Sequence, residues 1–354
     1  MQETKVAILL PANVWFCPFV NIYTHNFDKY NIKYDIINWD KSGNENTCAY
    51  SYKGHTGNSS LSKLLGYWKF SRFVKKALIQ GHYDRIIVFS SQIGIFCSLF
   101  LKKYYQSKYI FDFRDLSIEQ YSFMRRPFLR LLNNSYANVI SSPGFKKCLP
   151  KGIKYYISHN FVADNVLNAL APKPQKLPQD PISVLTIGGI RIDANPQIIE
   201  ALGNKSGIKL DFVGRGAGAN TLKDIVNGND FKNVFFEGYY AKEEEGDIIE
   251  KATFLNIFYP DWISHKTAMS NRFYNSLIYK RPMIVTKGQI QGDYCEKYNV
   301  GLAIDTTIGL DQKLKDWLKN TNMEEYQGNC IRLLKVFLKD DNHFKSMLQR
   351  FLAH

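Results

Sequence analysis

The stretch ISVLTIGGIRIDANPQIIEALGNKSGIKLDFVGRGAG, residues 182–218, decides the fold class. Two apolar runs in it, Ile182–Gly188 and Lys209–Gly214, each end in a glycine, and the segment between them has a helical pattern. Short apolar runs that end in turn residues are typical of strands buried on both faces of a parallel sheet. The stretch therefore predicts a strand, a helix and a second strand parallel to the first.

The same alternation of strands and helices extends through both halves of the chain. Apolar runs predict further strands at Lys5–Pro11, Tyr34–Trp39, Arg85–Ser90, Lys108–Phe113, Val139–Ser142, Lys154–His159, Asn233–Gly238, Phe254–Tyr259, Pro282–Thr286 and Gly301–Ile304. Amphipathic segments predict helices at Leu61–Gln80, Arg125–Tyr136, Asn271–Tyr279, Glu324–Lys339 and Asn342–Leu352. Two such runs of similar size predict an α/β protein with two Rossmann-like parallel-sheet domains that face a cleft, where ligands bind by default.

A proline-rich segment divides the chain. Ala171–Pro181 contains four prolines, which lack the N–H group that a continuing helix needs. We therefore predict a first domain over residues 1–169, a linker over 170–181 and a second domain over 182–338. A last helix, over residues 339–354, could return to the first domain.

The positive charge is concentrated in the first half. The chain has 46 Lys and Arg against 32 Asp and Glu, a net charge of +14, and residues 1–181 account for 24 − 11 = +13 of it. Such asymmetry predicts an anionic partner, either phospholipid, nucleic acid or a phosphorylated substrate. The alternative is a lysine-rich composition without a partner. No helix-turn-helix, zinc-finger or RNA-binding signature is present, so we do not expect nucleic acid to be bound.

The cysteines and the apolar segments indicate where the protein works. The 6 cysteines show no C-x-x-C spacing, which argues against a zinc site and against a secreted disulfide framework. The most apolar stretch, Ile93–Leu101, is far shorter than the roughly 20 residues of a membrane span, and no signal-peptide pattern opens the chain. We expect a cytoplasmic protein, or one bound peripherally to the inner membrane.

Two glycine-containing turns and one helix start are candidate anion sites. Gly188, Gly189 and Arg191 follow one predicted strand, and Gly214 follows the next; they form either tight turns or loops that bind a ligand. Ser270-Asn271-Arg272 opens a helix, whose free N–H groups and dipole attract anions. Arg272 and Lys266 would add charge-assisted bonds to a diphosphate. The alternative is an ordinary capped helix with solvated basic residues.

Candidate acid–base groups lie in the first half. Asp112 and Asp115 follow a predicted strand, so either could act as a base, although a helix cap and a pairing of Asp112 with Arg114 are equally consistent with the sequence. His25 and His159 are the best-placed histidines. The histidines show no metal-ligand spacing and no D-x-D pair ends a strand, so we expect no metal.

The ordered set of segments resembles the GT-B glycosyltransferases, in particular the family-4-like group of bacterial polysaccharide assembly. The segments that carry the resemblance, in chain order, are Phe111–Asp115, Ile140–Phe145, Ile157–Asn160, Gly188-Gly189, Asp211–Gly216, Val234–Gly238, Ala252–Phe258, Asn271–Leu277, Lys280–Val285 and Val300–Ala303. In place of the two glutamates that the family usually spaces at i and i+8, this sequence has Thr267 and Asn275.

The resemblance implies a metal-independent transfer of a hexose, without a cofactor, from a nucleoside diphosphate sugar to a hydroxyl of a polysaccharide precursor such as capsule, which could be lipid-linked. The implied donor-binding residues are Gly188, Gly189, Arg191, Gly214, Gly238, Lys266, Asn271, Arg272 and Asn275. In an inverting transfer the base would be Asp112, Asp115 or His25. A nucleotide-sugar epimerase on the same fold and a non-enzymatic basic binder remain as alternatives.

An arginine-rich segment suggests how the protein could bind an anionic membrane. Phe123–Leu132 mixes apolar residues with Arg125, Arg126 and Arg130, and a helix from Pro127 could present an apolar edge flanked by arginines. The alternative is that the apolar side chains of this helix pack into the core of the domain.

Overall fold

The computed structural model describes residues 4–54, 57, 59–171 and 177–353. These residues form two compact units, one ending at His159 and completed by the segment from Asp340 onward, the other comprising Asn160–Lys339. Residues 172–176 of the predicted linker lie outside the described residues. The second unit takes in the described residues 160–171 and 177–181 as well, because Val166, Ala169 and Leu177 pack into its hydrophobic core.

The first unit is built on one seven-stranded parallel sheet. Its strands are β1 Lys5–Leu10, β2 Lys33–Trp39, β3 Tyr50–Tyr52, β4 Arg85–Phe89, β5 Tyr109–Phe113, β6 Ala137–Ile140 and β7 Tyr155–Ile157. Its α-helices are α1 Asn21–Lys29, α2 Ser60–Gly81, α3 Ser91–Tyr104 and α4 Arg125–Asn133. The strand order is β3-β2-β1-β4-β5-β6-β7, so the order reverses between β1 and β4.

The second unit is built on a six-stranded parallel sheet. Its strands are β8 Ile182–Ile187, β9 Ile208–Val213, β10 Val234–Glu237, β11 Phe254–Ile257, β12 Met283–Thr286 and β13 Gly301–Ile304. Its helices are α5 Ala163–Ala169, α6 Asn195–Leu202, α7 Ala219–Gly228, α8 Glu245–Glu250, α9 Ile263–Thr267, α10 Asn271–Ile278, α11 Ile290–Tyr298 and α12 Leu310–Asn320. The order β10-β9-β8-β11-β12-β13 reverses between β8 and β11.

The predicted fold class is confirmed, because both units are parallel sheets in which α-helices connect most of the successive strands. In such sheets ligands bind outside the carboxyl ends of the strands, near the point where the strand order reverses. In the second unit that point is the end of β8, where the sequence analysis placed Gly188 and Gly189.

The chain ends in one helix, α13 Met323–Ala353, where the sequence predicted two. Asp340 and Asp341, which lie between the two predicted helices, have partners within the helical conformation. Asp340 Oδ2 lies 3.2 Å from His159 Nε2, and Asp341 Oδ2 lies 2.7 Å from Lys345 Nζ, one turn further on. The polar residues therefore interrupt the apolar pattern without ending the helix.

Helix α4 does not present the apolar edge that its sequence suggested. Phe128, Leu131 and Leu132 are buried, and the ring of Phe128 contacts the rings of Phe111 and Phe113 in the sheet. The alternating pattern thus reflects the packing of a helix onto its own domain. Within the part of the chain that the structure describes, no helix combines the length and the apolar character needed to cross a bilayer.

Candidate functional site

The loop after β8 leaves open space at the carboxyl end of the sheet. Gly188 has φ +96°, a conformation that glycine adopts without strain. A side chain at Gly188 would come no closer than 3.9 Å to its nearest neighbour, the Tyr240 hydroxyl, and one at Gly189 would meet no atom within 4 Å. The backbone of these two residues can therefore be approached closely by a ligand.

The glycines after β9 have a different role, because their backbone packs against the backbone of the loop after β8. The Gly188 N–H donates a hydrogen bond to Val213 O at 2.9 Å. A Cβ atom on Gly214 would lie 2.0 Å from Gly188 O, and one on Gly216 would lie 2.0 Å from Ile190 O. The run that opens at Gly214 therefore packs backbone against backbone, which accounts for its glycines without a ligand.

This packing predicts opposite outcomes for two glycine-to-alanine substitutions. We expect Gly214→Ala to lower the free energy of unfolding by about 1–3 kcal/mol, because its φ is +134° and its new methyl group meets a carbonyl. Gly189→Ala should leave stability within about 0.5 kcal/mol. Urea denaturation of both variants measures the difference, and equal stability would contradict the packing role of Gly214.

The start of α10 is a capped helix terminus next to the β8 loop. The Ser270 hydroxyl oxygen accepts a hydrogen bond from the Phe273 N–H at 3.4 Å. Gln291 Oε1 in turn accepts from the Ser270 N–H and hydroxyl at 3.0 and 2.9 Å. These bonds fix the terminus, where the helix dipole and the N–H groups of Asn271 and Arg272 favour an anion.

Arg272 links this helix terminus to the end of β8. Its Nε donates to Ile187 O at 2.5 Å, its Nη2 to Gly189 O at 3.0 Å and its Nη1 to the Tyr259 hydroxyl at 3.4 Å. The side chain is only partly buried. A permanent positive charge is therefore held at the loop that the open glycines form.

An aromatic group that the sequence analysis missed lies beside this charge. The His265 ring stacks on Tyr259, with centroids 4.7 Å apart and planes 3° from parallel, and Trp262 stacks on His265 at 5.5 Å. Burial lowers the pKa of His265, the charge of Asp193 opposes that shift, and the charge of Arg191 adds to it. Arg191 is thus close to the same group. The sequence feature that could have predicted this group is the cluster of ring side chains in Tyr259–His265, directly after β11.

The other predicted donor-binding residues are less central. Lys266 Nζ lies 3.0 Å from the exposed carboxylate of Asp261, so its charge is partly neutralised. Asn275 is half-buried on α10, one turn after the helix start. Gly238 follows β10, the edge strand, which is separated from β8 by β9. The hydrogen bonds of Arg272 therefore join the start of α10, at Asn271, to the loop of Gly188 and Gly189, which Arg191 follows in the chain, whereas Gly238 lies at the edge of the sheet.

Asp112 in the first unit is a structural residue and not an accessible base. It is fully buried, and its two oxygens lie 2.6 and 2.7 Å from Nε and Nη2 of Arg114. The Tyr23 hydroxyl donates to Asp112 Oδ2 at 2.7 Å, and Arg114 Nη1 donates to Ser158 O at 3.0 Å. The sequence alternative of an Asp112–Arg114 pairing is the observed one, although it is buried rather than at the surface.

Asp115 and His25 are both exposed, but only Asp115 follows a strand. Asp115 lies beyond the carboxyl end of β5, close enough to Cys17 to influence its ionisation. Burial raises the pKa of the Cys17 thiol to about 11, the charge of Lys41 opposes that shift and the charge of Asp115 adds to it. His25 lies within α1, where its Nδ1 is 2.8 Å from Asn21 O of the same helix. Of the three proposed bases, Asp115 is therefore the best placed.

Among residues 4–54, 57, 59–171 and 177–353, no group of three His, Cys, Asp or Glu side chains could hold a metal ion.

The sequence matches no protein-family model and no curated protein. Solved structures, by contrast, are similar over nearly the whole chain. Sucrose-phosphate synthase from Thermosynechococcus elongatus has a TM-score of 0.69 at 12% identity, and a glycosyltransferase from Rickettsia africae has 0.68 at 12%; each comparison covers 99% of both chains. The Anabaena protein HepE, solved with UDP-glucose, has 0.63 at 12% identity and covers 98% of this chain and 99% of its own. The chain therefore has the GT-B fold of these glycosyltransferases, with two α/β units that are each built on a parallel sheet.

Proposed function

We propose that the protein is a glycosyltransferase that moves a hexose from a nucleoside diphosphate sugar to a hydroxyl of a polysaccharide precursor. The observation that carries the proposal is the position of Arg272, at the start of α10 and hydrogen-bonded to the carbonyl of Gly189 in an open loop. A helix terminus, an arginine and an approachable backbone together suit a diphosphate.

The chemistry required is the stabilisation of a leaving group. When the bond between the sugar and the diphosphate breaks, negative charge develops on the diphosphate. The guanidinium groups of Arg191 and Arg272 and the N–H groups at the start of α10 would stabilise that charge without a metal. Lys266 would contribute less because Asp261 shares its charge. HepE, a structure with the same fold, was solved with UDP-glucose, which supports a nucleotide sugar as the donor.

Recognition of the rest of the donor would rely on neutral groups. Asn275, on the same helix as Arg272, would donate a hydrogen bond to a ribose hydroxyl, at a position where the family that this sequence resembles usually has a glutamate carboxylate. Thr267, at the position of the other carboxylate, is buried, and its hydroxyl donates to Ile263 O at 3.1 Å. We therefore assign donor contact to Asn275 and none to Thr267.

The acceptor side of the reaction belongs to the first unit. Asp115 would remove the proton from the acceptor hydroxyl in an inverting transfer, because it is exposed at the carboxyl end of β5. The acceptor that we propose is a lipid-linked precursor of a bacterial polysaccharide, met at the cytoplasmic face of the inner membrane. The net charge of +13 in residues 1–181 supports an anionic surface as the partner of this unit.

A thermal-shift screen of nucleoside diphosphates, carried out in EDTA, tests the donor site. A nucleotide at a hundred times its Kd should add about 2.7 kcal/mol to the stability of the protein. We expect one base to stabilise the protein more than the others and the effect to persist in EDTA. Adenosine without phosphates is the control, since it lacks the group that Arg272 would bind. No stabilisation by any nucleoside diphosphate or nucleotide sugar would refute the donor site.

The outcome of a turnover assay then separates transfer from related chemistry. The nucleotide sugar that stabilises the protein best is incubated with the enzyme, with and without a membrane extract as the source of acceptor. Release of the nucleoside diphosphate only with acceptor supports transfer. Isomerisation of the free donor without acceptor would instead indicate an epimerase.

A further inference from the structure

Helix α2 exposes a row of large apolar side chains to solvent. Leu61, Leu65, Trp68 and Ile79 are 68%, 51%, 45% and 61% exposed, respectively. Burial of such large apolar side chains away from water is favourable, so their exposure is a cost to the free protein. Several large apolar side chains exposed along one side of a helix favour a site of interaction.

These residues form one stripe that is distinct from the face packed on the domain. At 100° per residue, positions 61, 65, 68, 72, 76 and 79 fall within an arc of roughly 80°. The buried residues Phe70, Val74 and Leu78 lie on the opposite side of the helix. The stripe is therefore not an extension of the core, since other residues of α2 form the side that packs on the domain.

Basic side chains share the stripe with the apolar ones. Arg72 and Lys76 are exposed on it, and the Arg72 guanidinium lies 5.1 Å from the centre of the Trp68 ring. The helix contains no Asp or Glu over its 22 residues. Such a surface complements an anionic lipid bilayer. The apolar side chains can enter the acyl region, and the positive charges can pair with the negative headgroups.

From this complementarity we infer that the α2 stripe (Leu61, Leu65, Trp68, Arg72, Lys76 and Ile79) docks on the surface of an anionic lipid bilayer. The inference deepens the proposed function by naming the surface through which the first unit would reach a lipid-linked acceptor. It relocates the membrane contact from α4, whose apolar side chains are in the core. A helix of 22 residues is about 33 Å long, so the stripe can lie flat in the interface.

Flotation of the full-length protein with vesicles tests the inference. The probes are vesicles of phosphatidylcholine alone and of phosphatidylcholine mixed with phosphatidylglycerol. We expect binding to the mixed vesicles that weakens with salt, and little binding to the neutral ones. Leu65→Ser with Trp68→Ser should reduce binding at least about tenfold. Arg72→Gln with Lys76→Gln should reduce it about thirtyfold, since each charge contributes about 1 kcal/mol.

A matched control comes from the second unit. Ile308 is 79% exposed and Lys315 is exposed, so Ile308→Ser with Lys315→Gln removes the same kinds of side chain elsewhere and should leave binding unchanged. Equal binding of the wild type and both stripe variants would overturn the inference, as would no vesicle binding by the wild type. Binding to polyglutamate or single-stranded DNA that depends on Arg72 and Lys76 but not on Trp68 would show a different polyanion partner and also overturn it.

Tryptophan fluorescence gives a second, independent reading. Insertion of Trp68 should shift its emission to shorter wavelength on mixed vesicles, and Trp68→Phe should abolish most of the shift while it preserves binding. Persistence of the shift would implicate another exposed ring, such as Trp15, and contradict the α2 assignment. Stabilisation by nucleoside diphosphate should be intact in every stripe variant, so failure of lipid docking and failure of the proposed donor site are distinguishable.

Discussion

Replacing Asp112 by alanine should lower the free energy of unfolding of the first unit by about 3–5 kcal/mol. The substitution leaves the guanidinium of Arg114 buried without its carboxylate, and an uncompensated buried charge is among the most destabilising defects known in proteins. It also removes the acceptor of the Tyr23 hydroxyl. Urea denaturation followed by near-ultraviolet circular dichroism measures the loss, because many aromatic rings pack in this unit.

A double variant separates the buried charge from other causes. Asp112→Ala combined with Arg114→Met removes both charges and should recover a substantial part of the lost stability. If Asp112→Ala is as stable as the wild type but inactive, the carboxylate is a catalytic group after all and its structural assignment is wrong.

Replacing Arg272 by alanine should weaken binding of the preferred nucleoside diphosphate about 10- to 150-fold. This range corresponds to the roughly 1.5–3 kcal/mol of a hydrogen bond to a charged group. The effect arises both from the lost charge and from the lost bonds to Ile187 O and Gly189 O, which hold the open loop. Isothermal titration calorimetry of wild type and variant measures the change in Kd.

Two further variants show which part of the effect is charge. Arg272→Gln can keep a hydrogen bond to the loop without the charge and should still lose most of the affinity. Lys266→Ala should cost much less, because an exposed pair such as Lys266–Asp261 contributes about 0–1 kcal/mol. A larger loss with Lys266→Ala than with Arg272→Ala would place the diphosphate on the other basic residue.

The strands could be predicted from the sequence because burial on both faces requires continuous apolar runs, as in Ile182–Ile187. Strand β3 was missed for the same reason, since Tyr50–Tyr52 is a half-exposed edge strand of three residues without such a run. The helical period of α4 was visible, but an amphipathic pattern is the same whether its apolar face meets a core or a membrane. Only the contacts of Phe128 distinguish the two.

The candidate site was predictable in part. Arg272 could be placed at a helix start because Ser270 is a good N-cap before an amphipathic segment. The roles of the glycines could not be assigned, because a turn packed on another backbone and a loop open to a ligand have the same sequence signature. Gly214 is of the first kind and Gly189 of the second, and only the neighbouring atoms show it. The burial of Asp112 depends on Tyr23, which is remote in sequence.

The position of α13 determines the order in which the two units can be completed during synthesis. The hydrophobic core of the first unit includes Phe344, Met347, Leu348 and Phe351, which follow the whole of the second unit in the chain. The second unit, Asn160–Lys339, is translated in full before those residues emerge. The first unit therefore begins before the second but is completed after it, and a nascent chain holds an unfinished first core while the second unit is synthesised. The first unit is thus exposed to quality control for as long as the synthesis of the second unit takes.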